Sequence, residues 1–149
     1  MIEESTREGR QLVKIARPLL DDIIEHATGE PHQEVCGVLG GKPGIIERVY
    51  RAQNMAKTPA VRFEFFPREL MDILDNIDTA DLNTAGFYHS HIASSPYPSR
   101  TDVNEWNPEW YPDAVYFICS LKNPIQPEVR AFRFDEDKHL VEEPIEISS

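Results

Sequence analysis

Thr84-Ala85-Gly86-Phe87-Tyr88-His89-Ser90-His91 runs as a strand into Ile92-Ala93-Ser94-Ser95-Pro96-Tyr97-Pro98-Ser99-Arg100-Thr101-Asp102, and the chain is organised around this stretch. Successive strand residues point to opposite faces. His89 and His91 therefore point the same way, with Ser90 opposed. Their Cα atoms stand about 7 Å apart at the usual strand rise, close enough for both imidazoles to reach one ion. Zinc takes imidazole and carboxylate readily, and a catalytic site supplies three protein ligands while leaving a fourth position for water. Asp102 is the third candidate. Pro96 and Pro98 stiffen the loop that returns it to the strand end. Ser99-x-x-Asp102 also has the form of a helix N-terminal capping box, which by itself accounts for this half of the pattern. An Asp102 turned toward a metal is expected to leave that cap incomplete.

The flanking sequence reads as alternating strands and helices. Leu12 to Ala16 is strand-like and Pro18 closes it. Leu19 to Ala27 is an amphipathic helix with apolar residues at 20, 23, 24 and 27, ended by Gly29 and Pro31. His26 and His32 read as solvated histidines at its end. Glu34 to Gly41 is uncharged after Glu34, as in a central strand buried on both faces. Ile45 to Tyr50 pairs with it as a hairpin across Lys42-Pro43-Gly44. Gln53 to Pro59 is a loop, and Arg62 to Phe66 reads as another strand. Pro67 to Ile77 is the clearest helix, with Leu70, Ile73, Leu74 and Ile77 on one stripe. Ser99 to Trp106 is a short helix. Ala114 to Ser120, Glu128 to Phe134 and His139 to Ile147 complete the strands, with His139 at the surface. The fold class is α/β, a mixed sheet with a few flanking helices.

The 149 residues suit one domain over 11–149, preceded by a loose polar segment over 1–10. A net charge of −11 with no basic cluster excludes nucleic acid as a partner. Residues 1–5 lack the apolar core of a signal peptide, and no apolar run approaches the ~20 residues of a membrane span. A cytoplasmic location follows as the expectation. Cys36 and Cys119 lie in apolar strand settings and read as buried reduced thiols.

His89, His91, Ser99 and Asp102, with Glu34 opening Glu34-Val35-Cys36-Gly37-Val38-Leu39-Gly40-Gly41, resemble the JAMM (MPN-plus; Mov34/MPN/PAD-1) family of zinc metalloproteases, in its compact prokaryotic form. The family pattern is a glutamate on an early strand, then His-Ser/Thr-His, seven residues and Ser-x-x-Asp. Arg62 to Pro67 and Ala85 to Tyr88 also resemble short members, and the likeness spans about residues 12–135. Many members carry proline after the second histidine, where this chain has Ile92. The resemblance implies a cytidine-deaminase-like fold and one zinc ion held by His89, His91 and Asp102. It implies a fourth ligand, a water whose pKa the zinc lowers toward ~7. Glu34 would take the water's proton and later donate one to the leaving amine. Ser99 would orient the water and stabilise the oxyanion.

The substrate so implied is the C-terminal tail of a ubiquitin-like protein, a sulfur carrier among the candidates, cut at an amide or isopeptide bond. An extended Gly-Gly tail suits addition to a sheet edge near the site. Tyr97, Trp106 and Trp110 either wall that groove or pack in the core. A rival reading is a zinc-stabilised, non-catalytic MPN interaction module, against which the full set of motif residues stands. A small-molecule deaminase is a third reading, but it needs a Pro-Cys-x-x-Cys that this chain lacks.

Overall fold

Eight strands form one sheet in the computed structural model, which describes residues 12–149. The segment 1–10, expected to be loose, lies outside the described residues. The strands are β1 (Val13–Ala16), β2 (Cys36–Lys42), β3 (Ile45–Ala52), β4 (Asn83–His91), β5 (Val115–Ser120), β6 (Glu128–Phe134), β7 (Leu140–Glu143) and β8 (Ile145–Ser148). The helices are α1 (Arg17–Gly29), α2 (Pro67–Thr79) and α3 (Arg100–Glu105). The order across the sheet is β7-β6-β5-β4-β2-β3-β1-β8. β2 pairs antiparallel with β3 and β4, and β5, β6 and β7 continue antiparallel. β4 runs parallel to β5, and β1 runs parallel to β3 and β8. The sheet is therefore mixed, as the sequence implies.

β7 and β8 close opposite ends of that order, yet only Pro144 lies between them. Consecutive Cα atoms are about 3.8 Å apart, so the two edges meet within two residues and the sheet must curl. Pro144 O accepts the Val13 N–H at 2.9 Å, fastening the seam. The single final strand expected over 139–147 is thus two strands. Proline has no N–H to give a ladder, and at Pro144 the chain leaves β7 for the far edge.

The two faces of the sheet have different tasks. One packs α1: Leu20, Ile23 and Ala27 meet Val13, Ile15, Val35, Leu39, Tyr88 and Phe117. On the other face Ile73 and Ile77 of α2 cover Cys36, Val38 and Ala52. Beside them Trp106, Tyr116, Ile118 and Phe132 form a second cluster. His89 and His91 point to this second face, because Tyr88 and Ser90 point to α1. β2 is buried from Cys36 to Gly41, as a central strand should be. Cys36 and Cys119 are free and buried, and burial pushes both thiols up to about 12. No helix among the described residues is long and apolar enough to cross a membrane.

Two further readings of the sequence need correction. Residues 62–66 form no strand. Glu64 O accepts the Met55 N–H at 2.8 Å, but the Asn54 side chain takes the Glu64 N–H and donates to Arg62 O, so no ladder forms. His26 is not solvated. It is 5 % exposed, and its Nδ1 lies 2.7 Å from the buried Tyr88 hydroxyl. Tyr88 needs room to reach it: a Cβ on Gly37 would stand 2.1 Å from the tyrosine ring. His32 and His139 are exposed, as expected.

Candidate metal centre

β4 ends at His91, and the loop after it turns back into α3, so strand end and helix start face each other. His89 Nε2 and His91 Nε2 are 3.2 Å apart. Asp102 Oδ2 lies 3.2 Å from the first and 3.1 Å from the second. Bonds of about 2.0 Å to a tetrahedral ion place ligand atoms about 3.3 Å apart, so this near-equilateral triangle matches one face of such a site. All three residues are buried, at 2, 3 and 7 % exposure. Two imidazoles and one carboxylate are a donor set that zinc accepts. A second grouping, Asp135, Asp137 and His139, is solvent-exposed at its last two members. There Asp135 Oδ1 accepts the backbone N–H of Asp137 and His139 within its own turn.

The imidazoles are oriented from behind. His91 Nδ1 lies 2.8 Å from Ser95 O, which can only accept. Nδ1 therefore carries a proton; without an ion Nε2 can donate to Asp102, and the neutral ring would present its Nε2 lone pair to an ion. Phe63 stacks on the His89 ring at 4.7 Å and 25°, and Trp106 meets the same ring edge-on at 6.3 Å. The loop carbonyl at Ser94 is held in turn by the Ser120 hydroxyl at 2.5 Å.

The capping box and the metal triangle are not alternatives. Ser99 Oγ accepts the Asp102 N–H at 3.0 Å, and Asp102 Oδ2 accepts the Ser99 N–H at 2.9 Å. The oxygen that completes the cap is the one that faces both histidines. A carboxylate oxygen has lone pairs for more than one partner, so the expected choice between the two roles does not arise. Ser99 Oγ acts only as an acceptor in the cap, which leaves its hydroxyl hydrogen free to donate.

Charge follows this geometry. Burial alone would raise the Asp102 carboxyl. Hydrogen bonds from His89, His91 and the Ser99 N–H override it and hold the group well below the usual carboxylate range. Burial lowers the His89 imidazole against the pull of Asp102. For His91 burial also acts downward, but the hydrogen bonds to Asp102 and Ser95 win and raise it. Glu34 is 6 % exposed, and its Oε1 is buried with no hydrogen-bond partner. Burial pushes its carboxyl up to about 7; His91 opposes the shift, and Asp102 and Glu105 add to it. A carboxyl poised there exchanges protons readily near neutrality.

One motif residue has a structural task, and several contributors lie outside the motif. Ser90 turns away from the metal face, and its Oγ accepts the Val35 N–H at 2.8 Å, joining β4 to the residue after Glu34. Phe63 stacks on His89, the Ser95 carbonyl holds His91, and the Asn54 amide donates to Glu34 O. A polar residue inside a loop, as Asn54 is in Gln53-Asn54-Met55, was the only signal available for the last. Of the three aromatics near the motif, Trp106 is packed, stacked on Tyr116 at 4.1 Å. Trp110 is 77 % exposed. Tyr97 is exposed, with Phe132 at 5.8 Å and the Arg130 guanidinium over its ring at 5.1 Å.

Comparison with known proteins places this chain in a family. The family described as prokaryotic homologs of the JAB domain matches residues 16–135. A desampylase of Haloferax volcanii is 38 % identical over 114 residues, covering 72 % of this chain and 80 % of the relative. A CysO-cysteine peptidase of Mycobacterium tuberculosis is 32 % identical over 144 residues, covering 95 % of each. A solution structure from Desulfitobacterium hafniense superposes with a TM-score of 0.79 at 26 % identity, over 93 % of this chain and 94 % of the other. A JAB1/MPN domain protein from Archaeoglobus fulgidus shares the fold, with a TM-score of 0.54 at 17 % identity, over 91 % of this chain and 99 % of the other. The match covers most of the chain in both sequence and fold: this protein belongs to the prokaryotic JAB-domain (JAMM/MPN) family.

Proposed function

We propose that this protein is a zinc-dependent metallopeptidase, built as one domain over 11–149. It hydrolyses an amide or isopeptide bond at the C-terminus of a ubiquitin-like protein, a sulfur carrier being one such substrate. The observation that carries the reading is the buried triangle of His89, His91 and Asp102 with the Glu34 carboxyl beside it, its buried Oε1 without a hydrogen-bond partner. The names of the desampylase and CysO-cysteine peptidase relatives support a ubiquitin-like or sulfur-carrier substrate.

His89 Nε2, His91 Nε2 and Asp102 Oδ2 hold the ion. Zinc bound there supplies a Lewis acid that acidifies water and polarises a carbonyl. Glu34 accepts a proton from the attacking water and delivers it to the leaving nitrogen, so the amine departs neutral. Its raised pKa suits both halves of that cycle. The Ser99 hydroxyl hydrogen, free of the cap, donates to the oxygen that gains charge as the carbonyl carbon becomes tetrahedral. A groove of about 420 Å³ runs between Arg62–Phe65 and Glu105–Asn107, floored by Phe87, Tyr111 and Tyr116. Phe63 and Trp106, one on each wall, both touch His89. That groove suits an extended tail ending in small residues.

The test is cleavage of a ubiquitin-like protein fused through its Gly-Gly end to a short peptide, with the metal content measured on the same sample. One zinc per chain and release of the peptide are expected. Bound zinc with no cleavage of any carrier fusion would favour a non-catalytic interaction module. A pull-down with Glu34→Gln as a substrate trap would identify the carrier.

A further inference from the structure

Asn54 belongs to no part of the metal chemistry, yet its amide uses its full hydrogen-bonding capacity around Glu34. Nδ2 donates to Glu34 O at 2.8 Å and Arg62 O at 2.9 Å, with a longer contact to Pro59 O at 3.4 Å. Oδ1 accepts the Ala56 N–H at 2.9 Å and the Glu64 N–H at 3.1 Å. A carboxamide has two donors and two lone pairs, so nothing is left over.

Glu34 needs such a partner because the sheet does not hold it. The β2 ladder begins at Cys36. The Glu34 N–H donates to Pro59 O at 2.7 Å, and its C=O accepts from Asn54. Both main-chain groups therefore end on the 54–59 loop. The same amide holds Arg62 and Glu64, the residues flanking Phe63, and Phe63 stacks on His89. One side chain thus joins the backbone of Glu34 to the segment that braces a metal-facing imidazole.

We propose that Asn54 is a positioning residue: it sets where the Glu34 carboxyl stands relative to His89, His91 and Asp102, without itself touching substrate or metal. The inference rests on Glu34 acting as the general base. An error of about 1 Å in such a placement costs on the order of 100-fold in rate.

Asn54→Asp separates the two halves of the amide. It keeps an acceptor for the Ala56 and Glu64 N–H groups and turns the donors facing Glu34, Pro59 and Arg62 into lone pairs. Asn54→Ser, which keeps one hydroxyl donor, carries the test if the aspartate variant loses the protection of β2. Amide hydrogen exchange on the full chain gives a readout independent of turnover. Asn54 Nδ2 also reaches Pro59 O, the acceptor of the Glu34 N–H, so losing its donors frees that loop, and the Glu34 amide is expected to exchange at least about tenfold faster, with β2 still protected and zinc content unchanged. On a ubiquitin-like fusion, kcat is expected to fall about 100-fold with KM within about twofold. Added to Glu34→Gln, the same substitution should change residual turnover by less than about twofold. Unaltered protection of the Glu34 amide would overturn the inference. So would an equal loss of kcat in the Glu34→Gln background. A wild-type protein that cleaves no fusion contradicts the proposed function instead, and exchange then decides the role of Asn54 alone.

Discussion

At the scale of single residues, the triangle of His89, His91 and Asp102 makes a prediction about metal. Each contributes one atom at 3.1–3.2 Å from the other two, and no fourth His, Cys, Asp or Glu among the described residues joins the group. His91→Ala should purify with less than about a tenth of the wild-type zinc, read by elemental analysis. Full stoichiometry would remove His91 from the ligand set. The three were legible because alternation along a strand and a fixed spacing to Ser-x-x-Asp encode one side of one site. Glu34 was legible only through the family pattern, since a glutamate opening a strand is by itself an ordinary surface charge. Asn54, Phe63 and the Ser95 carbonyl were not legible. Their roles depend on which loop lies across which strand, and a carbonyl carries no side-chain signature at all.

At the scale of elements, α3 is short and depends on its cap. Ser99→Ala removes the acceptor of the Asp102 N–H, at a cost of about 1 kcal/mol. It also removes the proposed oxyanion donor, so kcat should fall on the order of 100-fold while zinc is retained. A loss confined to thermal stability, with kcat preserved, would restrict Ser99 to capping. α1 carries a pH-sensitive contact through His26, whose neighbours are Tyr88, Glu30, Arg51 and Asp22. Burial lowers its pKa below 6.5, with Arg51 acting in the same direction and Glu30 opposing. A base depressed in the folded state contributes stability that is present above pH 6.5 and is lost as pH falls below it. Urea unfolding at pH 7.5 and 5.5 should therefore show a smaller acid loss in His26→Gln than in the wild type. Equal losses would show that His26 is not the titrating group. The sequence suggested a solvated histidine because the helix-end position was visible and Tyr88, 62 residues away, was not. The division of the last strand was hidden in the same way. Pro144 marked a break, but nothing local says that the chain next joins the opposite edge of the sheet.

At the scale of the whole molecule, an ion held by His89, His91 and Asp102 would join β4 to α3 across the sheet's second face, which would couple folding to binding. An ion present at about 1,000 times its Kd stabilises the folded state by about 4 kcal/mol. For a chain of this size that corresponds to a melting temperature roughly 10 °C higher. Chelation should lower the melting point by about that much, and added zinc should restore it. A melting curve indifferent to chelator would mean that the triangle holds no ion in the folded protein. The α/β class and mixed sheet were legible from the alternation of element types. The curl was not, because it follows from the order in which distant strands pair.

The central claim is that Glu34 performs proton transfer beside a metal held by three other residues. It is tested most directly by turnover of a Gly-Gly-linked ubiquitin-like fusion, comparing wild type and Glu34→Gln at one zinc per chain. Glutamine keeps the size of the side chain and removes its capacity to carry a proton. We predict equal zinc content and a kcat reduced at least about 1,000-fold, within the range attributed to a positioned general base. Undiminished turnover at equal zinc would contradict it.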